Sequence, residues 1–306
     1  MSSGTHVRGR RVVMVVAATV VAATAIVAVL DFYASRSARA AGAVIVGAGD
    51  IAKCSSSADE ATAKLLDNIP GTVFTVGDNV YPSGTASEFR NCYAPSWGRH
   101  KARTRPAIGN HEYETAGASG YFGYFGAAAG DPSRGYYSYE RGGWHVVALN
   151  SNCKKVGGCV ADSPQGRWLR NDLANHPAKC TLAYFHHPLF SSGGDHGDQP
   201  TVRPLWKALY AANADVIVGG HDHSYERFAP QRPDGARNKE RGIRQFVVGT
   251  GGGTQRGFGK IRPNSQARNA STPGVLKLTL DSGSYAWKFV PVAGKTFTDS
   301  GTTSCY

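Results

Sequence analysis

The hydrophobic residues of this chain fall into short runs that alternate with amphipathic segments. Seven runs are rich in β-branched or aromatic residues and have the length of strands. They cover residues 44–46, 72–76, 146–149, 181–185, 216–218, 246–248 and 275–280. Helical periodicity is found in residues 58–68, 164–175 and 202–213. Strands that alternate with helices predict an α/β domain whose sheets are covered on both faces.

The last quarter of the chain has a different pattern. After about residue 240 the helical periodicity stops, and strand-like runs separated by Gly-rich turns dominate. This favours a mixed sheet that closes in a hairpin-like tail over a purely parallel sheet. No linker-like segment and no internal repeat interrupts residues 41–306, so we expect one domain there.

Five groups of metal-binding residue types follow or precede the predicted strands, and four of these groups begin just behind a glycine. In chain order they are Asp50, Asp78, Tyr81, Asn110, His111, Glu112, His186, His187, His221 and His223. Ligand sites in open α/β sheets gather at the carboxyl ends of the strands. Carboxylate, amide and imidazole groups suit hard or borderline cations, and one carboxylate can bridge two of them. The pattern therefore predicts a two-metal site.

Two glycine-rich stretches suggest nucleotide binding, but neither fits. Residues 47–52 match the dinucleotide fingerprint, yet the segment KCSSS separates Ala52 from the next helix, so no helix N-terminus lies at the glycines. In residues 249–261, Thr254 stands where a P-loop has its first glycine, and Ile261 follows Lys260 in place of Ser or Thr. A Rossmann oxidoreductase is therefore a remote alternative.

The ordered motifs GD, GDNVY, GNHE, HHP and GGHDHSYER, spanning residues 49–227, resemble those of the calcineurin-like metallophosphoesterases, and among them the purple acid phosphatases. The resemblance implies a single catalytic domain with mixed β-sheets sandwiched between helices. It also implies two metal ions bridged by Asp78. The implied Fe(III) ligands are Asp50, Asp78, Tyr81 and His223. The implied ligands of a zinc, manganese or Fe(II) ion are Asp78, Asn110, His186 and His221.

One position departs from the family pattern. Many metallophosphoesterases have a histidine two residues after the first aspartate, and purple acid phosphatases usually have glycine. This chain has Ala52, whose side chain cannot bind a metal. Tyr81 is the expected replacement ligand, and a phenolate is a hard donor suited to iron(III).

The implied reaction is hydrolysis of phosphate esters, most simply by a phosphomonoesterase of the acid phosphatase type. A hydroxide generated by the metals attacks phosphorus, and the leaving alkoxide needs a proton. We expect that proton from His111, oriented by Glu112, or else from His196 in the Gly-rich loop 191–200. His187 is expected to be a neighbour of the ligands, with a possible exchange of roles between it and His186.

Other functions remain open. A phosphodiesterase acting on nucleotides, phospholipids or wall polymers would use the same metals. A protein that only binds the cell wall or stores metal is a different class, and His111 speaks against it because a binding module needs no proton donor.

The N-terminus has the pattern of an export segment. Arg8, Arg10 and Arg11 precede the apolar run 12–30, and residues 38–40 offer a small-x-small cleavage site. The run is also long enough to span a bilayer. We expect residues 1–40 to be an export signal or a membrane anchor, and either one places residues 41–306 outside the cytoplasm, secreted or anchored.

The cysteines agree with this location. All six lie beyond residue 40 and none forms a C-x-x-C pair, so structural disulfides are favoured over a zinc or redox motif. Cys153 and Cys159 are the best local pair. The partners of the other four, Cys54, Cys92, Cys180 and Cys305, are not determined by the sequence.

The chain is basic, with a formal net charge of +12. Residues 1–40 hold five arginines and one aspartate, which leaves +8 for the remainder. This charge suits a small or polymeric phosphate-ester substrate, although a basic surface that aids solubility explains it equally well. No block of Lys and Arg with interleaved aromatics signals nucleic-acid binding, and the sequence does not predict an oligomeric state.

Overall fold

A computed structural model describes residues 1, 2, 4 and 42–306 of the chain. The apolar run 12–30 and the cleavage motif at 38–40 lie outside the described residues, so the export segment stays a prediction. Residues 42–306 form one compact unit. Among them, no helix has the length and apolar character needed to cross a membrane.

Two mixed sheets and a small two-stranded sheet form the framework of residues 42–306. The strands are β1 Ala43–Ala48, β2 Ala52–Lys53, β3 Thr72–Val76, β4 Val80–Tyr81, β5 Thr104–Ala107, β6 Tyr137–Arg141, β7 Trp144–Ala148, β8 Thr181–Tyr184, β9 Val216–Gly219, β10 Tyr225–Phe228, β11 Arg244–Val248, β12 Ser265–Asn269, β13 Gly274–Asp281, β14 Ser284–Pro291 and β15 Ser300–Ser304. The first sheet has the order β15-β14-β13-β1-β3-β5, the second β12-β10-β11-β9-β8-β7-β6, and β2 pairs with β4.

The helices lie between the strands. They are α1 Ala58–Asp67, α2 Ala86–Glu88, α3 Ser119–Phe125, α4 Pro164–Asn175 and α5 Arg203–Ala211. The periodicity predicts α1, α4 and α5, but not α2 and α3. The start of α4 is encoded locally, because the Ser163 side chain accepts a hydrogen bond from the Gly166 N–H and Pro164 occupies the first turn.

The side chains of the second sheet alternate between two hydrophobic cores. On β9, Val216 and Val218 join the core shared with the first sheet, whereas Ile217 packs with Leu205 and Trp206 of the α5 region. Helix α1 packs against β13 of the first sheet. The layers are therefore helix, sheet, sheet and helix, which confirms the predicted α/β class with mixed sheets between helices.

Parallel pairing brings the motif-bearing loops to one edge of each sheet. Strands β1, β3 and β5 are parallel neighbours in the first sheet, and β7, β8, β9 and β11 are parallel neighbours in the second. Backbone hydrogen bonds then join loops of the two sheets, as between Gly49 N–H and the Val248 carbonyl at 2.9 Å. Polar side chains that are far apart in sequence therefore lie close together where the loops of the two sheets contact each other.

Candidate metal centre

Three residues that follow strand ends have a left-handed backbone. Asp50 after β1, Asp78 after β3 and His221 after β9 have φ values of 57°, 47° and 70°. Residues other than glycine adopt this region infrequently, and it is enriched at functional sites, where the surrounding structure enforces it. The fold therefore holds these three side chains in orientations that the local sequence does not favour.

The first cluster is centred on the Tyr81 hydroxyl. It donates to Asp50 Oδ1 at 2.9 Å and lies 3.0 Å from His223 Nε2 and 3.3 Å from Asp78 Oδ2. His223 Nε2 is also 3.3 Å from Asp50 Oδ1. The four residues predicted for the first ion thus lie together.

The second cluster is centred on His186 Nε2. It lies 3.0 Å from Asn110 Oδ1, 3.1 Å from His221 Nδ1 and 3.3 Å from Asp78 Oδ2. The four residues predicted for the second ion lie together as well. Because Asp78 Oδ2 contacts both clusters, it occupies the position expected of a bridging carboxylate.

The donor set fits cations. His186 Nδ1 lies 2.8 Å from the Val76 carbonyl, and His223 Nδ1 lies 2.8 Å from the Thr254 carbonyl. A carbonyl only accepts, so each Nδ1 carries the hydrogen and, in a neutral ring, each Nε2 turns a lone pair toward the cluster. These lone pairs converge with those of buried oxygens, which is unfavourable unless a positive charge lies between them.

The acidic groups of the clusters are buried, so their negative charges are stable only beside a positive charge. Asp50 is 0% exposed and Asp78 is 2% exposed. Burial raises the pKa of Asp78, but the charges and hydrogen bonds of His186 and His111 together lower it well below its usual value. Burial lowers the pKa of His186, yet the contacts with Asp78, Asp50 and the Val76 carbonyl together outweigh this and raise it to about 9. Each group thus stabilises the charged form of the other, and a bound cation would replace the proton on His186 as the positive charge between these donors.

Tyr81 is a neutral phenol in this arrangement. Burial, followed by the charges of Asp50 and Asp78, raises the pKa of its hydroxyl well above the usual value. Ionisation to the phenolate therefore requires a nearby cation.

Glu112 has a different role from the one predicted. Its fully buried carboxylate accepts four backbone N–H bonds, at 2.6 to 3.3 Å. The donors belong to Asp78, Asn79, Val80 and Gly109. Burial and the charge of Asp78 raise the pKa of Glu112, while the N–H bonds from Gly109 and Asn79 oppose that rise by stabilising the carboxylate. Glu112 holds the loop that presents Asp78, and it does not orient His111.

The partner of His111 is a backbone carbonyl. Its Nδ1 lies 2.6 Å from the Pro82 oxygen, so Nδ1 donates there. Its Nε2 lies 3.9 Å from Asp78 Oδ2, and its backbone N–H donates to Asp78 Oδ1 at 3.0 Å. The ring is 35% exposed and lines the cleft above the clusters. Pro82 thus replaces Glu112 as the group that fixes the ring.

The remaining histidines lie beside His221. The exposed ring of His196 stacks on His221 with centroids 4.0 Å apart and lines the same cleft. His187 Nδ1 is 2.8 Å from Ser151 Oγ, and burial together with the neighbouring His186 lowers the pKa of His187 to about 3. His187 is therefore a neutral neighbour of the second cluster.

Glycines allow the loops to approach the carboxylates. A Cβ atom on Gly109 would overlap Asp78 Oδ1, and one on Gly220 would lie 2.7 Å from Asp50 Oδ2. Larger residues cannot occupy these positions without displacing a carboxylate. This explains physically why glycine precedes the ligand in GNHE and GGHDH.

Members of both clusters line a cleft of about 230 Å³, namely Asp78, Tyr81, Asn110, His221 and His223, whereas Asp50 and His186 are fully buried beneath it. Two cationic residues in its lining, Lys53 and Arg256, were not among the residues predicted from the sequence. Lys53 belongs to the two-residue strand β2, and Arg256 lies in the Gly-rich stretch that follows β11. No motif marks either residue, so only the fold reveals them.

Comparisons with known proteins identify the family of this chain. The profile of the calcineurin-like phosphoesterase family matches residues 43–225. Purple acid phosphatase 15 of Arabidopsis thaliana is 26% identical over 272 residues, which cover 74% of this chain and 48% of the relative. The chain thus spans about half the length of this curated relative.

Solved structures share the fold. A purple acid phosphatase from yellow lupin (Lupinus luteus) superposes with a TM-score of 0.66 at 20% identity, covering 86% of this chain and 53% of the other. A dimetal phosphatase from Danio rerio gives a TM-score of 0.57 at 12% identity, covering 87% and 100%. At these identities the likeness concerns the fold alone. The family profile, which spans more than half of the residues, shows that the chain belongs to the calcineurin-like phosphoesterase family, a class of two-metal proteins with purple acid phosphatases among the relatives of this chain.

Proposed function

We propose that this protein is a two-metal phosphomonoesterase of the purple acid phosphatase type. The observation that carries the proposal is the Asp78 carboxylate, which joins two converging donor clusters on the floor of one cleft. A single carboxylate shared in this way is what a pair of closely spaced cations requires.

The proposed ion assignment follows the donors. Iron(III) is placed at Asp50, Asp78, Tyr81 and His223. Zinc, manganese or iron(II) is placed at Asp78, Asn110, His186 and His221. When bound, the two ions supply Lewis acidity to the phosphoryl oxygens and lower the pKa of an attacking water.

The proposed proton donor is His111. Its Nδ1 hydrogen is held by the Pro82 carbonyl at 2.6 Å, so Nε2, which faces the cleft, is the atom that exchanges a proton. A proton at this Nε2 can pass to the leaving alkoxide, a role that typically contributes about 10²- to 10⁴-fold in rate. His196, exposed and stacked on His221, is the second candidate for this role.

We place the catalytic domain outside the cytoplasm. The six cysteines form three disulfides, Cys54–Cys92, Cys153–Cys159 and Cys180–Cys305, and none is left free. Such complete pairing is typical of proteins that fold in an oxidising compartment. The predicted export segment at residues 1–40 would provide the route.

The first prediction separates the roles of Asp78 and His111. The metal-loaded full chain should hydrolyse phosphate monoesters faster than diesters of the same alcohol. Asp78→Asn should lose metal and activity together, because the shared carboxylate is removed. His111→Ala should keep both metals, as measured by elemental analysis, and lose about 100-fold in kcat.

Two outcomes would contradict this assignment. Equal metal loss in both variants would remove the distinction between bridge and proton donor. Faster hydrolysis of diesters by the wild type would favour the phosphodiesterase alternative.

A further inference from the structure

Two basic residues line the cleft outside the donor clusters. Lys53 lies opposite Tyr81 in the β2–β4 ladder. The backbone N–H of Arg256 donates to the His223 carbonyl at 3.1 Å. Both residues therefore lie beside the half of the site that Tyr81 and His223 build. They are the only Lys or Arg residues in the lining of this cleft among residues 42–306.

The charges of these two residues are available to a ligand. Lys53 is exposed, and within residues 42–306 it takes part in none of the ion pairs. Arg256 pairs with Asp195, and both side chains are nearly half exposed. Ion pairs in contact with water contribute little, whereas a phosphate dianion offers a guanidinium a bidentate partner with more charge. A phosphate can therefore replace Asp195.

The size of the cleft places part of the substrate over these cations. At about 230 Å³ the cleft is smaller than the roughly 300–1,000 Å³ typical of pockets that enclose a whole small molecule. The phosphoryl group that reacts must reach the donor clusters on the floor. The leaving group of a larger ester then extends toward the rim, where Lys53 and Arg256 are exposed.

We propose that Lys53 and Arg256 form a second anion subsite, which selects phosphate monoesters whose leaving group carries another phosphate. The inference rests on the proposed phosphomonoesterase function and specifies its substrate class. A subsite of this kind acts on binding, so it should change KM more than kcat.

The test compares two esters with the same kind of leaving alkoxide, propyl phosphate and propane-1,3-diol bisphosphate, on the metal-loaded full chain. The wild type should have the higher kcat/KM for the bisphosphate. Lys53→Gln and Arg256→Gln should each raise KM for the bisphosphate about 3-fold, and the double variant about 10-fold. The KM for propyl phosphate should change less, so the ratio of the two kcat/KM values falls.

Matched controls come from elsewhere on the surface. Arg232→Gln removes another exposed arginine paired with a carboxylate, that of Asp234, and Lys64→Gln removes an exposed lysine of α1. Neither should change the ratio. Asp195→Asn should raise it, because Arg256 is released from its partner. An unchanged ratio in the double variant, or an equal fall in the two controls, would overturn the subsite.

Binding separates the subsite from the reaction. Propylphosphonate and propane-1,3-bisphosphonate have P–C bonds that are not hydrolysed, so calorimetry on the same protein measures affinity alone. If the wild type hydrolyses neither ester, the phosphomonoesterase proposal fails. A preference for the bisphosphonate that the double variant loses would still support the subsite, and equal affinities in the wild type would refute it.

Discussion

The chemistry of single residues depends on what surrounds them, and Tyr81 shows this clearly. The residue two positions after Asp50 is Ala52, which offers no donor atom, whereas the Tyr81 hydroxyl lies within 3.3 Å of Asp50, Asp78 and His223. Without a cation, burial and the two carboxylates keep the phenol protonated. Iron(III) would reverse this preference, because it stabilises the phenolate directly.

This dependence gives a prediction at the residue scale. The iron-loaded full chain should be pink to violet, because a tyrosinate on iron(III) transfers charge to the metal in the visible range. Tyr81→Phe should abolish that absorption while Asp50, Asp78 and His223 still hold iron. The measurement is a visible spectrum beside an iron determination for both proteins. A colourless wild type with iron bound would exclude Tyr81 as a ligand.

The sequence allowed the donor clusters to be predicted because each proposed ligand lies in a recognisable motif next to a predicted strand. The role of Glu112 could not be obtained in the same way. Adjacency to His111 suggested a partnership, but the two neighbouring side chains of this short 3-10 helix point in different directions, and only the fold shows where the carboxylate points. Lys53 and Arg256 also escaped prediction, because a surface cation has no local signature.

At the scale of elements, the buried parallel strands were predictable and the marginal ones were not. Strands β8 and β9 are buried along their whole length and read as continuous apolar runs. Strand β12 alternates between partly buried and exposed polar residues, and β15 is almost entirely polar, so neither stands out in the sequence. These two strands form because they pair with neighbouring strands, and such pairing depends on the tertiary fold and not on the local sequence.

Three elements are joined by one buried histidine. His145 on β7 has Nε2 at 2.8 Å from Asp172 Oδ2 of α4 and Nδ1 at 3.0 Å from Glu140 Oε1 of β6. Burial lowers the pKa of His145, but the two carboxylates outweigh it and raise the pKa overall. Burial raises the pKa of Asp172, but His145 and Ser138 outweigh it and lower the pKa overall. The ring of His176 stacks on His145 at 5.1 Å and lies near the same carboxylate.

This contact gives a prediction about pH. His145 contributes fully to the stability of the fold below about pH 6.5, the pKa of a histidine in the unfolded chain. This contribution is lost as the pH rises through the raised pKa of His145 in the folded protein. The contribution of Asp172 is present above its unfolded pKa of about 3.9 and is lost as pH falls through the lowered folded value. His145→Gln should therefore lower the free energy of unfolding most between about pH 4 and 6.5, by about 2 kcal/mol. At pH 9 it should lower the free energy of unfolding by less.

Urea unfolding of the wild type and His145→Gln at pH 5, 7 and 9 measures this difference. His176→Gln is the matched control, because that ring is half exposed and should matter less at every pH. If His145→Gln lowered the free energy of unfolding equally at all three pH values, packing and not charge would explain the effect.

At the scale of the whole molecule, the last residues of the chain are tied to the second sheet. Cys305 follows β15 of the first sheet and is bonded to Cys180, just before β8 of the second. The Tyr306 N–H donates to Asp215 Oδ1 at 3.1 Å, next to β9. The C-terminus thus links the two layers that carry the metal-site loops.

The disulfides differ in the length of chain that they close, which gives a prediction. Cys180–Cys305 spans 125 residues and Cys153–Cys159 spans 6. If a disulfide stabilises the fold by reducing the entropy of the unfolded chain, replacing Cys180 and Cys305 by alanine should lower the free energy of unfolding by about 5 kcal/mol. Replacing Cys153 and Cys159 should lower it by about 2 kcal/mol. Denaturant unfolding of the two double variants measures the difference, and equal losses would contradict an entropic origin.

The buried carboxylate of Glu112 also determines when the loop that carries Asp78 becomes ordered. Four backbone N–H groups of this region already have a partner inside the protein. The entropy of fixing the loop is therefore lost during folding and not again when an ion arrives. The centre is preorganised: an incoming cation meets Asp78 already in place, and its binding energy is not reduced by the cost of arranging that loop.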